Sequence, residues 1–290
     1  MSADLHILRS HAIEAIIRAD GAELVSLKNA DGLELLWQAG PEWTRHSPVL
    51  FPIVGRVKND EYRHRGKTWP MKQHGFAREH RFAWSDQTDQ SCKLVLADNE
   101  ATRAQYPFAF RLEVTHAIDQ ADLTVTFDIT NTGNEMLPAS VGGHPGFNWP
   151  LLPGVPKESY SLTFSDDEPS PIRRVAGGLL RAEPQPSPIR GKVLALSERL
   201  FDDDAVILDR PASKSVRYAA DRGPSIEMFF EGFPELGIWS RRGGAPFVCL
   251  EPWHGYASPA EFDGEFSDKP GLMQIPLGDR RTLGYRVRVG

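Results

Sequence analysis

Apolar and polar residues alternate with period two through Phe110-Arg111-Leu112-Glu113-Val114-Thr115-His116-Ala117-Ile118, and again through Leu123-Thr124-Val125-Thr126-Phe127-Asp128-Ile129-Thr130. That period puts successive side chains on opposite faces of an extended strand. The runs are joined by the polar turn Asp119-Gln120-Ala121-Asp122, so together they predict an antiparallel hairpin. Asn131-Thr132-Gly133-Asn134 ends the second strand. Shorter runs predict strands at 22–27, 33–37, 93–96, 225–230, 236–240, 247–251 and 283–289.

Helical periodicity is nearly absent, and residues 99–105 offer only a turn or two. Turn formers recur, with 25 Gly and 23 Pro. Many short strands broken by turns predict a β-sandwich or barrel folding as one unit. The Pro-rich stretch 150–188 reads as long loops on that scaffold rather than a linker between domains. Tyr160-Ser161-Leu162-Thr163-Phe164 inside it alternates like a strand, and Val175-Ala176-Gly177-Gly178-Leu179 reads as a tight hairpin turn.

Composition narrows the function classes. The chain has 290 residues, 40% hydrophobic and 25% charged, with net charge -6. Its basic residues are scattered, which argues against nucleic acid or an anionic membrane as a partner. No basic segment followed by an apolar run opens the chain, so no signal peptide is expected, and no apolar run is long enough to span a bilayer. Two cysteines, Cys92 and Cys249, make no disulfide framework, and a reducing cytoplasm is expected.

Three segments carry candidate chemistry. His144 lies in Gly142-Gly143-His144-Pro145-Gly146-Phe147-Asn148, where small residues let backbone approach a ligand. Its imidazole can exchange a proton near neutrality. Glu251 ends the apolar run Pro246-Phe247-Val248-Cys249-Leu250. A carboxylate there is costly unless paired or used, and burial moves its pKa toward a general base's range. Trp253, His254 and Tyr256 follow as a possible sugar platform. His74 precedes Gly75-Phe76-Ala77-Arg78, and Arg78 can serve as a forked donor to oxygens or as a surface charge. Arg56 follows an apolar run and Gly55, placed to point into a cleft. Of the run Asp202-Asp203-Asp204, Asp204 adjoins a strand and is the candidate to face a ligand. No spacing typical of a metal site, nucleotide loop or serine nucleophile elbow occurs, so no metal is expected.

In this order, Phe51-Pro52-Ile53-Val54-Gly55-Arg56, His74-Gly75-Phe76-Ala77-Arg78, Gly143-His144-Pro145-Gly146-Phe147-Asn148 and Leu250-Glu251-Pro252-Trp253 resemble the aldose 1-epimerase (galactose mutarotase-like) superfamily. The resemblance runs from about Ala22 to the C-terminus. It implies an all-β, large antiparallel β-supersandwich in a single domain spanning residues 1–290, with no cofactor. It implies an isomerase that interconverts the α and β anomers of an aldohexose by opening the ring. Glu251 would take the anomeric proton, His144 would protonate the ring oxygen, and His74 would stabilise developing charge. Arg56, Arg78, Asp204 and Trp253 would bind the sugar. Galactose mutarotases tend to have Asn where this chain has Gly55, and Tyr where it has Gly146. The His74–Arg78 segment looks more like the hexose-6-phosphate 1-epimerase branch, in which arginines engage phosphate. Three functions therefore stand open: an aldose mutarotase, a hexose-phosphate mutarotase clamped by Arg56 and Arg78, and a non-catalytic sugar sensor. The expected partner is a sugar or sugar phosphate, and the chain is expected as a monomer or homodimer.

Overall fold

The structure, a computed structural model, describes residues 4–290. The expected hairpin forms: Phe110–Asp119 and Asp122–Asn131 pair antiparallel, with Asp119 opposite Asp122. Gln120 and Ala121 close it, Gln120 at φ 53°. A tight loop with left-handed backbone matches the twist of the flanking strands. Phe110, Leu112, Val114, Leu123, Val125, Phe127 and Ile129 point inward and are buried.

This hairpin belongs to a nine-stranded antiparallel sheet. Its order, edge to edge, is Val193–Ala195, Ser161–Phe164, Ser215–Ala219, Ile226–Phe229, Arg280–Val289, Asp122–Asn131, Phe110–Asp119, Ser91–Ala97 and Ala83–Gln87. A six-stranded sheet packs against it. There Val206–Leu208, Glu235–Trp239, Phe247–His254, Val141–Gly143 and Val49–Leu50 are neighbours in that order, and Gly146–Asn148 also pairs with Phe247–His254. Leu112, Phe127 and Tyr285 of the larger sheet share one hydrophobic cluster with Val141, Leu236, Val248 and Leu250 of the smaller. Two sheets burying one face each against a common core make a sandwich. Each fully buried side chain of this kind contributes about 1.5–3 kcal/mol.

The strand Phe247–His254 positions the site. It is buried on both faces, so its sequence reads as a continuous apolar run. Val248 and Leu250 enter the core between the sheets. Phe247, Cys249, Glu251 and Trp253 alternate onto the other face. Phe247, Cys249 and Trp253 there join two small clusters, with Trp37 and Ala245 in one and Leu50, Val54 and Ile207 in the other.

Some expectations are corrected. Residues 33–37 form no continuous strand, only the single bridges Lys28–Glu34 and Leu36–Phe147. The Glu34 carboxylate accepts the Leu27 and Leu36 N–H groups at 2.9 and 3.0 Å, replacing ladder bonds with a side chain. The helical segment shortens to Glu100–Arg103, started by an Asn99–Thr102 capping box. Within the Pro-rich stretch, Ser161–Phe164 joins the large sheet, and Val175–Ala176 turns through Gly177 and Gly178 into Leu179–Leu180, as the pattern predicts. Two strands not predicted, Leu5–Arg9 and Ile13–Arg18, pair with each other, and Ile13–Arg18 also pairs with Glu23–Asn29. Among the described residues no helix is long and apolar enough to cross a membrane.

Candidate active site

Alternation along Phe247–His254 brings Cys249, Glu251 and Trp253 to the outer face of the six-stranded sheet. Trp239 reaches the same face from the neighbouring strand, where it pairs with Cys249. His144 arrives between Val141–Gly143 and Gly146–Asn148, which pair with the other edge of that strand. Its Nε2 lies 3.1 Å from Oε2 of Glu251. Both side chains are buried at the floor of a cavity of about 300 Å³. That is near the lower end of the roughly 300–1,000 Å³ usual for small-molecule sites.

Three aromatic or heteroaromatic rings hold the His144 ring. Trp43 stacks on it at 4.9 Å and 28°, while Trp239 and His74 meet it edge-on at 5.8 and 5.6 Å. Its Nδ1 has no hydrogen-bond partner among the described residues, so packing fixes the ring. The Trp43 loop is tied down by Glu23, whose carboxylate accepts the His46 and Ser47 N–H groups and pairs with Arg18. Gly146 makes the stacking possible: a Cβ there would come within 2.8 Å of the Trp43 ring. The space that a tyrosine would take at this position belongs to Trp43 in this chain.

The opposite wall comes from residues 73–78, pinned on residues 51–55. Phe51 C=O accepts the Phe76 and Ala77 N–H groups, and Gly55 C=O accepts that of His74. The Gly55 N–H donates to His74 Nδ1 at 3.2 Å. A neutral imidazole accepting at Nδ1 carries its proton on Nε2. Burial first, then the nearby His144, Arg78 and Arg45, hold His74 well below the ordinary histidine range. Burial therefore favours a neutral His74, whose Nε2 lies 3.3 Å from the Gln73 side-chain amide nitrogen at the cavity wall. Gly55 has φ 72°, and a Cβ on it would lie 2.5 Å from that of Ala257, so no larger residue fits.

Burial also lowers the His144 pKa, with Arg78 and Arg45 adding to it. Burial raises Glu251 well above the carboxylate range, and Asp204 adds to that. The Trp253 indole N–H opposes the shift, though it stops short of a well-formed hydrogen bond. Burial thus disfavours the charged form of both members of the pair.

Six of the seven candidate residues line this cavity: His74, Arg78, His144, Asp204, Glu251 and Trp253. Asp202 and Asp203 do not; Asp203 pairs with Arg181. Arg56 is not brought into the wall. Its Nε donates to Asp60 at 2.6 Å in an exposed ion pair, because only its stem passes Gly178 at the rim. His254 and Tyr256 also lie outside the lining. Trp43, Gln73 and Trp239 line the cavity and were not singled out. Trp239 shares the parity of the strand's outward face, a readable signal. Trp43 sits in a loop, and no local pattern marks its contact with His144.

Arg78 is half-buried and donates to the Gln73 C=O at 2.7 Å. Its Nε lies 3.5 Å from Glu79, which Arg45 also engages at 2.6 Å. One carboxylate serves two arginines, leaving excess positive charge beside the site. Burial and Arg45 bring Arg78 down to about 10.

Two stacked antiparallel sheets of this order are the architecture of a galactose mutarotase-like protein. The chain matches the aldose 1-epimerase family over residues 4–270 and belongs to it. It is similar to a galactose mutarotase related enzyme from Lactobacillus acidophilus, at 34% identity and TM-score 0.92, covering 99% of this chain and 97% of that one. A galactose mutarotase-like protein from Lactobacillus casei is similar at 31% identity and TM-score 0.92, covering 99% and 100%. The plasmid-encoded protein LacX of Lactococcus lactis is 32% identical, over 97% of this chain and 98% of LacX.

Proposed function

We propose that the protein is an aldose 1-epimerase acting on a free aldohexose in the cytoplasm. The observation that carries this reading is the 3.1 Å approach of His144 Nε2 to Glu251 Oε2 at the floor of the pocket. The anomeric hydroxyl and the ring oxygen of a pyranose are bonded to one carbon. Two proton-handling atoms this close can serve both oxygens at once.

In the mechanism, the Glu251 carboxylate removes the O1 proton, the C1–O5 bond breaks, and His144 gives its Nε2 proton to O5. The products are an open-chain aldehyde, a neutral carboxyl and a neutral imidazole. Rotation about C1–C2 presents the other carbonyl face. O5 then attacks C1 and returns its proton to His144, while Glu251 protonates O1. The uncharged pair that burial favours is the form that accompanies the open chain, so the site favours the intermediate over the ring. Sugar hydroxyls bonded to the carboxylate favour the charged form needed to begin. His74 Nε2–H donates to the sugar. Positioned acid and base groups contribute typically 10²–10⁴-fold, enough for a reaction that already runs slowly in water.

The excess charge at Arg45 and Arg78 favours a second reading, a hexose 6-phosphate as substrate. Arg56, the other expected half of a phosphate clamp, is engaged by Asp60, which favours the free sugar. Saturation-transfer NMR on free aldoses beside hexose 6-phosphates tests both. Faster exchange of free aldoses supports the first reading, exchange confined to phosphates the second. Binding without exchange would leave a sugar sensor.

A further inference from the structure

We propose that His144, Cys249 and Glu251 form a binding site for a borderline divalent cation of the zinc class, whose occupancy silences the acid–base pair. Among the described residues these three form a buried group whose nitrogen, sulfur and oxygen ligand atoms all lie within 4.8 Å of one another. The strand makes the arrangement: Cys249 and Glu251 are two residues apart and share a face, and Gly146, two residues after His144, pairs with Cys249. Sequence spacing does not show it, because two ligands come from one strand and the third from the two-residue link between its neighbours.

The donor set selects the ion. One imidazole, one thiolate and one carboxylate suit Zn²⁺ or Co²⁺, and the thiolate argues against Mg²⁺ or Ca²⁺. Bonds of about 2.0–2.3 Å to each donor need the widest pair to close by about 1 Å. Thiolate and carboxylate together neutralise a divalent charge, so the occupied site is uncharged, as a buried site requires. His144 and Glu251 line the cavity, which would give an ion its way in. Cys249 otherwise fills space as a small apolar group beside Phe247 and Trp37.

Silencing rests on the proposed acid–base function; binding does not, and the test separates them. Tag-free protein is titrated with Co²⁺ while the absorption spectrum is recorded, beside Cys249→Ser and, in case the serine variant folds poorly, Cys249→Ala. Expected are intense visible bands of a low-coordinate cobalt site and a near-ultraviolet thiolate-to-cobalt band. Both variants lose the thiolate band and bind about tenfold or more weaker, since even indirect partners of metal ligands are worth roughly 10–100-fold. Added Zn²⁺ displaces the cobalt and stops anomer exchange in the wild type at concentrations that spare the variants. Absence of the thiolate band at saturating cobalt, or equal binding by wild type and Cys249→Ala, overturns the site. Binding as expected on a protein that exchanges no anomer leaves the site standing and removes only the silencing.

Discussion

The two faces of the strand Phe247–His254 are both buried, yet they have opposite duties. Val248 and Leu250 face the core between the sheets and belong to its hydrophobic cluster. Glu251 and Trp253, on the opposite face, line a pocket whose floor is a histidine–carboxylate contact. Burial of an apolar side chain stabilises, whereas burial of a carboxyl costs energy and shifts its protonation. A fully buried strand can therefore carry chemistry without exposing it, because period two separates the stabilising residues from the reactive ones.

Substitutions that act on one face and spare the other sharpen this contrast. The largest expected effect is Glu251→Gln, which lowers kcat for anomer exchange by roughly 10²–10⁴-fold while leaving the denaturation midpoint at or above that of the wild type. Leu250→Ala does the reverse, costing about 2–5 kcal/mol in denaturant unfolding with little change in exchange rate per folded molecule. A loss of stability in the first variant equal to that in the second would erase the distinction between the faces.

A smaller effect concerns Glu235, beside Trp253 in the sheet, whose carboxylate accepts the Gly255 N–H at 2.9 Å. Burial pushes it up to about 7. A carboxyl whose folded pKa is raised binds its proton better when folded. Its contribution is complete below about pH 4.5, the unfolded value, and is lost as pH rises through 7. Unfolding at stepped pH measures that fall, at most about 3 kcal/mol, and Glu235→Gln flattens it. An unchanged slope in the variant would assign the fall to other groups.

The smallest effects separate two arginines that look alike in sequence. Arg56→Ala removes an exposed, solvent-screened ion pair and leaves both stability and turnover nearly unaltered. Arg78→Ala raises KM, because the side chain lines the pocket. Equal losses from both would return Arg56 to the site.

Much of the fold was legible where chemistry and burial alternate together. The hairpin of 110–131 shows its inward face in every second residue. Ile13–Arg18 hides the same burial pattern, because Ile16 is apolar but sits among the less buried positions, and the register shifts at Ile16/Ile17. Residues 33–37 look like a strand because Leu33, Leu35 and Trp37 alternate, but the Glu34 side chain takes bonds that a partner strand would supply. At the site, proton-handling groups flanked by glycine and proline were readable one by one. Trp43 was not, since its contact with His144 depends on Glu23 holding a loop distant in sequence. Arg56 lies off the lining because a position after an apolar run fixes only where a side chain starts, and Asp60 holds its guanidinium.

In the proposed mechanism His144 and Glu251 act as one unit on the anomeric centre. Anomer exchange by saturation-transfer NMR on Glu251→Gln, His144→Asn and the double variant tests it most directly. Groups that act together are strongly non-additive, so each single variant is expected to lose nearly as much kcat as the double. Losses that multiply would mean two independent contributions, contradicting a shared proton between them.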